Sequence, residues 1–147
     1  MPASVVSQFS SFQAGLRLVD GSDLASMANL QFGSTVGVTA KAGGGQALAT
    51  PVSGANVQVD VCVTNSDSIQ LPPAIPGTRV SVYNNTGQTL AVFGVPVNAS
   101  NANAGDTIAA AASLTQQPTA TGVTQLTAKA ADYVCYKLGQ WKQFLSA

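Results

Sequence analysis

Two residue types that carry much of enzyme chemistry are missing from this chain of 147 residues: it has no histidine, and its six acidic residues are all aspartates. Without histidine the chain has no Ser-His triad, no imidazole acid–base pair and no imidazole metal ligand. A pair of catalytic carboxylates would need two of the six aspartates side by side. The composition therefore favours a function other than catalysis, and we expect no cofactor and no catalytic residue.

Charge is also scarce. Lysine, arginine and aspartate together make up 8% of the chain and give a net charge of +0, whereas a typical soluble domain is about 25% charged. A neutral surface with few charges is poorly protected against self-association, and the centres of protein interfaces are depleted in charge. We therefore expect much of the surface to be covered by copies of this chain or by other partners; the alternative is a monomer kept soluble by its serine, threonine, asparagine and glutamine side chains.

Nucleic acids and membranes are not indicated as partners. The sequence has no basic cluster that would attract phosphates, and no apolar run of about 18 residues that would span a bilayer. The first residues, MPASVVSQFSSF, lack the basic and apolar regions of a signal peptide. Without an export signal, Cys62 and Cys135 are expected to be reduced thiols that pack as small hydrophobic groups, although pairing in an oxidising compartment stays open.

The remaining candidate sites are weak. Asp60, Asp67 and Asp106 lie near predicted strand ends, but no calcium-loop pattern of alternating acids accompanies them. Turn capping and solvation explain them better, so no metal site is predicted. Five aromatic residues are candidates for a sugar-binding face, and core packing is the favoured alternative: Tyr83, Phe93, Tyr133, Tyr136 and Trp141.

The pattern of hydrophobic residues divides the chain at residue 33. Residues 1–33 are predicted to form an extended arm and, from Ser22 to Gly33, a short helix with a serine N-cap. Residues 34–147 are predicted to form a β domain. The apolar residues of the arm are the expected assembly contacts, together with one arginine: Phe9, Phe12, Leu16, Arg17 and Leu18.

From Ser34 onward the apolar period is two. In VQVDVCVT, the valines 57, 59, 61 and 63 fall on one face of a predicted half-buried strand. Asn84 to Gly87 is predicted to form a tight hairpin that needs positive φ, and Gly139-Gln140 to form a type II′ hairpin turn with glycine first. The Asn98–Gly122 segment is predicted to be mostly a surface excursion, with a strand near Thr107 and Ile108. Together, these strand and turn patterns predict an all-β fold, a sandwich or small barrel of about eight short antiparallel strands.

A chain of turn and core signals resembles small structural proteins of tailed bacteriophages. Its first motif is D-S-x-x-L-P at Asp67–Pro72, and the resemblance covers roughly residues 57–145. Its later members are Gly77, Val80, Val82, Asn84, Asn85, Gly87, Val92, Phe93, Gly105–Ile108, Tyr133–Cys135, Gly139 and Trp141. The chain departs from the pattern between Asn98 and Gly122, where its insertion is long.

The resemblance implies a virion component, made in the host cytoplasm and mounted on the phage head. The expected function is that of a capsid decoration, or cement, protein that binds the major capsid protein from outside and stabilises its contacts. Such proteins typically act as homotrimers. The alternative is a tail-fibre or receptor-binding module that recognises a host glycan through the insertion and exposed aromatic residues.

Overall fold

The structure is a computed structural model that describes residues 33–96, 105–113, 115–118 and 120–146. The arm and nearly all of the predicted short helix fall on residues 1–32, outside the described residues. The described residues form ten strands and one short 3-10 turn, Gln46–Leu48. The strands are β1 (Ser34–Thr39), β2 (Thr50–Pro51), β3 (Asn56–Val61), β4 (Asp67–Gln70), β5 (Arg79–Asn84), β6 (Leu90–Phe93), β7 (Thr107–Ala109), β8 (Val123–Gln125), β9 (Ala130–Lys137) and β10 (Gln140–Leu145).

The strands form two mixed sheets, so the all-β prediction is confirmed at that level. One sheet has six strands in the order β1-β3-β5-β9-β10-β7, and the other has four in the order β2-β4-β6-β8. From β1 to β8 the chain alternates between the two sheets, and only then do β9 and β10 follow each other in the same sheet.

This alternation corrects the predicted antiparallel arrangement. Within the described residues five of the eight strand pairs are parallel: β1–β3, β3–β5, β2–β4, β4–β6 and β7–β10. Parallel neighbours cannot be joined by a tight turn and need a crossover connection. Here each crossover passes through a strand of the other sheet.

The predicted hairpin at Asn84–Gly87 is wrong for the same reason, because β5 and β6 lie in different sheets. None of the residues from Asn84 to Gly87 has a positive φ. The buried Asn84 side chain instead organises the link. Its amide donates to the carbonyl oxygens of Gln88 and Leu126, at 2.8 and 3.0 Å, and its oxygen accepts from Thr86.

The second predicted hairpin is present, one residue earlier than expected. Strands β9 and β10 are antiparallel and are joined by Leu138 and Gly139, with glycine in second place at φ +74°. The turn is therefore not type II′, which would need the positive φ in the first place. The predicted strand near Thr107 is also present: β7 pairs with β10, and its Ile108 and Ala109 are buried, so this part of the insertion is not a surface excursion.

One hydrophobic core takes side chains from both sheets. Val57 and Val59 of β3 lie in it, whereas Val61 and Val63 are 43% and 68% exposed. The prediction that the four valines share one buried face therefore holds for Val57 and Val59 and is wrong for Val61 and Val63, because β3 ends at Val61. Trp141 and Tyr133, the two largest fully buried side chains, come from β10 and β9. No helix among the described residues has the length and apolar character needed to cross a bilayer.

Candidate interaction surface

The side of the six-stranded sheet that faces away from the core carries the main candidate surface. Side chains alternate along a strand, so the neighbours of the core residues Val80, Val82, Tyr133 and Trp141 point outward. We call this surface the outer face and define it by ten residues: Gln58, Asp60, Arg79, Ser81, Tyr83, Asp132, Val134, Tyr136, Lys142 and Phe144.

Three aromatic side chains of the outer face are about half exposed: Tyr83 at 50%, Tyr136 at 55% and Phe144 at 52%. Tyr83 and Phe144 border one groove of about 150 Å³, which Ala130 and Asp132 also line. Phe144 and Tyr136 border a second groove of about 410 Å³. Phe144 is therefore a ridge between two grooves, and the three aromatic residues form one continuous patch.

The hydroxyl of Tyr136 is fixed at the edge of this patch. It accepts a hydrogen bond from the Gln116 amide at 2.8 Å and donates to the side-chain oxygen of Gln140 at 3.1 Å. With the hydroxyl fixed at both sides, the exposed ring needs little further ordering when it contacts a partner.

The charged side chains of the outer face are held by contacts within the chain, one ion pair and otherwise hydrogen bonds to neutral groups. Arg79 forms a salt bridge of 2.6 Å with Asp132, and the Ser81 hydroxyl donates to the other oxygen of the same carboxylate. Burial raises the pKa of Asp132, but the Ser81 hydrogen bond and the Arg79 guanidinium outweigh it and lower that pKa. Asp60 accepts from Asn85, Gln58 and the backbone of Gly37, and these hydrogen bonds lower its pKa.

Lys142 is held by backbone carbonyls. Its ammonium donates to the oxygens of Ala110, Ala111 and Ser113 at 2.5, 3.1 and 2.5 Å. The charge therefore fixes the segment that follows β7 against β10, and the alkyl stem lines the larger groove.

The four described aspartates all hold local structure. Asp67 is fully buried and accepts from the Thr64 hydroxyl and backbone and from the Val63 backbone, and these bonds lower its pKa. Asp106 accepts from the backbone of Ala74 at 2.8 Å. Within the described residues no three His, Cys, Asp or Glu side chains form a possible metal cluster. Asp67 and Asp106 therefore hold loop backbone, whereas Asp60 and Asp132 accept hydrogen bonds on the outer face.

Both cysteines are free thiols, Cys62 half-buried and Cys135 buried. Burial raises the pKa of each thiol, and the Asp67 carboxylate raises that of Cys62 further. At neutral pH both thiols are protonated, and a protonated thiol is a poor nucleophile.

The predicted site residues divide into three groups. The arm residues Phe9, Phe12, Leu16, Arg17 and Leu18 lie outside the described residues. Of the five aromatic candidates, Phe93, Tyr133 and Trp141 are in the interior, and Tyr83 and Tyr136 are on the outer face. The sequence analysis did not include Phe144. Its position three residues after Trp141 in the last strand places it on the opposite face of that strand, and this spacing was a usable signal.

No family model, no curated protein sequence and no solved structure matches the chain.

Proposed function

We propose that this chain is a capsid decoration protein of a tailed bacteriophage, acting as a homotrimer that binds the major capsid protein on the outer surface of the head. Its two sheets are interpreted as the layers of a β-sandwich around the shared core. The observation that carries the proposal is the outer face: an apolar patch beside the Arg79–Asp132 ion pair, on a protein whose whole chain is 8% charged.

The resemblance to phage structural proteins supports the proposal through the places its residues occupy. Asp67 caps a turn, Asn84 organises the link between β5 and β6, and Tyr133, Cys135 and Trp141 are buried. These are positions that specify a scaffold. A cement protein functions by attachment, so it needs a rigid scaffold that presents binding surfaces.

Cementing has a simple physical basis. An oligomer that touches several capsid subunits makes each contact after the first an intramolecular one, and this raises avidity without high affinity at any single contact. An attachment of this kind is expected to bury more than about 1,000 Å² in total. In this proposal the arm supplies contacts that reach across a joint between capsid subunits.

The test is binding of the purified full chain to phage heads from which the decoration protein has been stripped. Saturable binding at a fixed stoichiometry, with heads that then resist heating better, is expected. Absence of binding to such heads would overturn the proposal. Deletion of residues 2–14 is expected to lower occupancy, and unchanged occupancy would remove the arm from the contact.

A second candidate is a tail-fibre or receptor-binding module for a host glycan. Tyr83, Tyr136 and Phe144 favour it, since exposed aromatic rings next to amide and hydroxyl groups can stack on sugars. Binding of the chain to host cells, lost in Tyr136→Ala and absent on stripped heads, would select it. Trimming the whole Asn98–Gly122 segment is not a clean test, because it removes β7 from the core.

A further inference from the structure

We propose that the outer face is the surface through which neighbouring copies of this chain contact one another. This inference rests on the proposed function, because it takes the protein to be an oligomer. It adds the location of the contact between the copies. Arm contacts then remain free to act on the capsid shell.

The first argument is the exposed apolar area. An aromatic side chain buries about 150–250 Å² when it is fully covered, so three that are half exposed still present about 300 Å² to solvent. Contiguous apolar patches of a few hundred Å² on soluble proteins often mark interaction sites. The patch formed by Tyr83, Phe144 and Tyr136 reaches that size before its neighbour Val134 is included.

The second argument is the size of the face. The ten residues of the outer face lie on four neighbouring strands, β3, β5, β9 and β10. At about 4.8 Å per strand, and with about six residues of about 3.3 Å each, these strands cover about 19 by 20 Å, or about 400 Å² in projection. Two surfaces of this size bury about 800 Å², which is in the range of a weak interface between copies.

Charge selects the occupant. The four charged residues of the outer face, Asp60, Arg79, Asp132 and Lys142, sum to zero, and Arg79 pairs with Asp132 at 2.6 Å. A strongly charged partner would meet a surface with no net charge of opposite sign, so its own charges would be buried in the contact without ion-pair partners. A second copy of this chain, with a net charge of +0, meets that requirement.

Shape gives the last argument. The smaller groove has a volume of about 150 Å³, and a cavity of about that size holds a benzene ring. An aromatic side chain that protrudes from a neighbouring copy therefore fits the space between Tyr83 and Phe144. Anchors of this kind, aromatic and seated in a pocket, supply much of the binding energy at interfaces.

The experiment is the molar mass of the full chain in solution, by sedimentation velocity from about 1 to 100 μM, for the wild type and Phe144→Asp. We expect an oligomeric wild type and a monomeric variant, with the dissociation constant raised about 100-fold because a carboxylate is buried in an apolar contact. The matched control is Leu48→Asp. Leu48 is 65% exposed and lies on the 3-10 turn, away from the outer face, so this variant stays oligomeric.

Far-UV and near-UV circular dichroism check that Phe144→Asp is folded. If it is not, Tyr83→Asp is measured in its place, since Tyr83 borders the same groove from a different strand. A monomeric wild type, or a folded outer-face variant that stays oligomeric, would overturn the inference. The stripped-head assay separates this inference from the head-binding part of the proposed function: a monomeric wild type that still binds heads overturns the contact between copies and the trimer, and leaves binding to the head in place.

Discussion

The hydroxyl of Tyr133 donates a hydrogen bond to the side-chain oxygen of Gln125 at 3.1 Å, and both residues are fully buried. Tyr133 belongs to β9 of the six-stranded sheet and Gln125 to β8 of the four-stranded sheet. The same hydroxyl accepts from Gln143 of β10 at 3.1 Å. Burial raises the pKa of Tyr133, so this phenol stays protonated and remains a donor. The bond therefore joins the two sheets through the interior.

Replacing Tyr133 with phenylalanine is expected to lower the free energy of unfolding by about 1–3 kcal/mol. The change leaves the oxygen of Gln125 buried without a donor, and an unpaired buried polar group costs about that much. Urea denaturation monitored by circular dichroism measures the effect. The control is Tyr83→Phe, whose exposed position should keep the change below about 0.5 kcal/mol. If the two variants lose the same free energy of unfolding, the Tyr133–Gln125 hydrogen bond makes no measurable contribution to stability.

Replacing Asp67 with asparagine is expected to cost about 2–3 kcal/mol at pH 7. One carboxylate oxygen accepts from the backbone of Val63 and Thr64 at 2.7 and 3.0 Å, and the other accepts from the Thr64 hydroxyl at 2.6 Å and from the Gly43 backbone at 3.4 Å. Asparagine has one acceptor oxygen, so its amide nitrogen would face donors on one of these two sides. Asp132→Asn is the matched control, since its ion pair with Arg79 lies at the surface and should contribute less than about 1 kcal/mol.

The Asp67 effect should depend on pH in a defined direction. The folded-state pKa of Asp67 is lowered, so its stabilisation is fully present above the unfolded pKa of about 3.9 and is lost as the pH falls through the folded value. The difference in unfolding free energy between wild type and Asp67→Asn should therefore narrow between pH 5 and the acid limit of folding. Curves that stay parallel over that range would contradict the assignment.

Replacing Lys142 with methionine is expected to loosen residues 110–113 and to cost about 2 kcal/mol. The alkyl stem is kept, but the carbonyls of Ala110, Ala111 and Ser113 lose a charged donor. Hydrogen exchange should rise in that segment more than in β5. Lys137→Met, at an exposed lysine of the same hairpin, should change neither quantity. A uniform rise in exchange across the whole sheet would argue against a local anchoring function.

Two glycine substitutions distinguish the observed turns from the predicted ones. Gly139→Ala should cost about 1–2 kcal/mol, because Gly139 has φ +74° and a left-handed conformation strains a residue with a Cβ. Gly87→Ala should change stability by less than about 0.5 kcal/mol, since an added Cβ meets nothing within 4 Å and φ is not positive. The predicted hairpin at Asn84–Gly87 would require the opposite result at Gly87, so thermal unfolding of both variants decides between the two.

Individual strands were predictable because the sheet imposes a period of two on the residues between the core and solvent. Val57 and Val59, Val80 and Val82, and Leu90 and Val92 alternate as that rule requires, and all are buried. The turn at residues 138–139 was also visible within one residue, since a glycine between two alternating segments is a local signal.

The choice of strand partners was not predictable in the same way. Asn84 to Gly87 has the composition of a hairpin, but Asn84 uses its amide to cap a link between two sheets. A local pattern cannot distinguish these cases, because the hydrogen bonds that decide between them run to Leu126, 42 residues away.

The sequence by itself determined that residues 34–147 are rich in β-strands and that the chain is poor in charge and lacks histidine and glutamate, because composition and short-range alternation depend only on neighbouring residues. The tertiary structure alone decided that consecutive strands from β1 to β8 alternate between two mixed sheets, and that Tyr83, Tyr136 and Phe144 meet on one outer face while Tyr133 and Trp141 are buried. The physical reason is that pairing between distant strands sets which side of each strand is covered, and that information is spread along the whole chain.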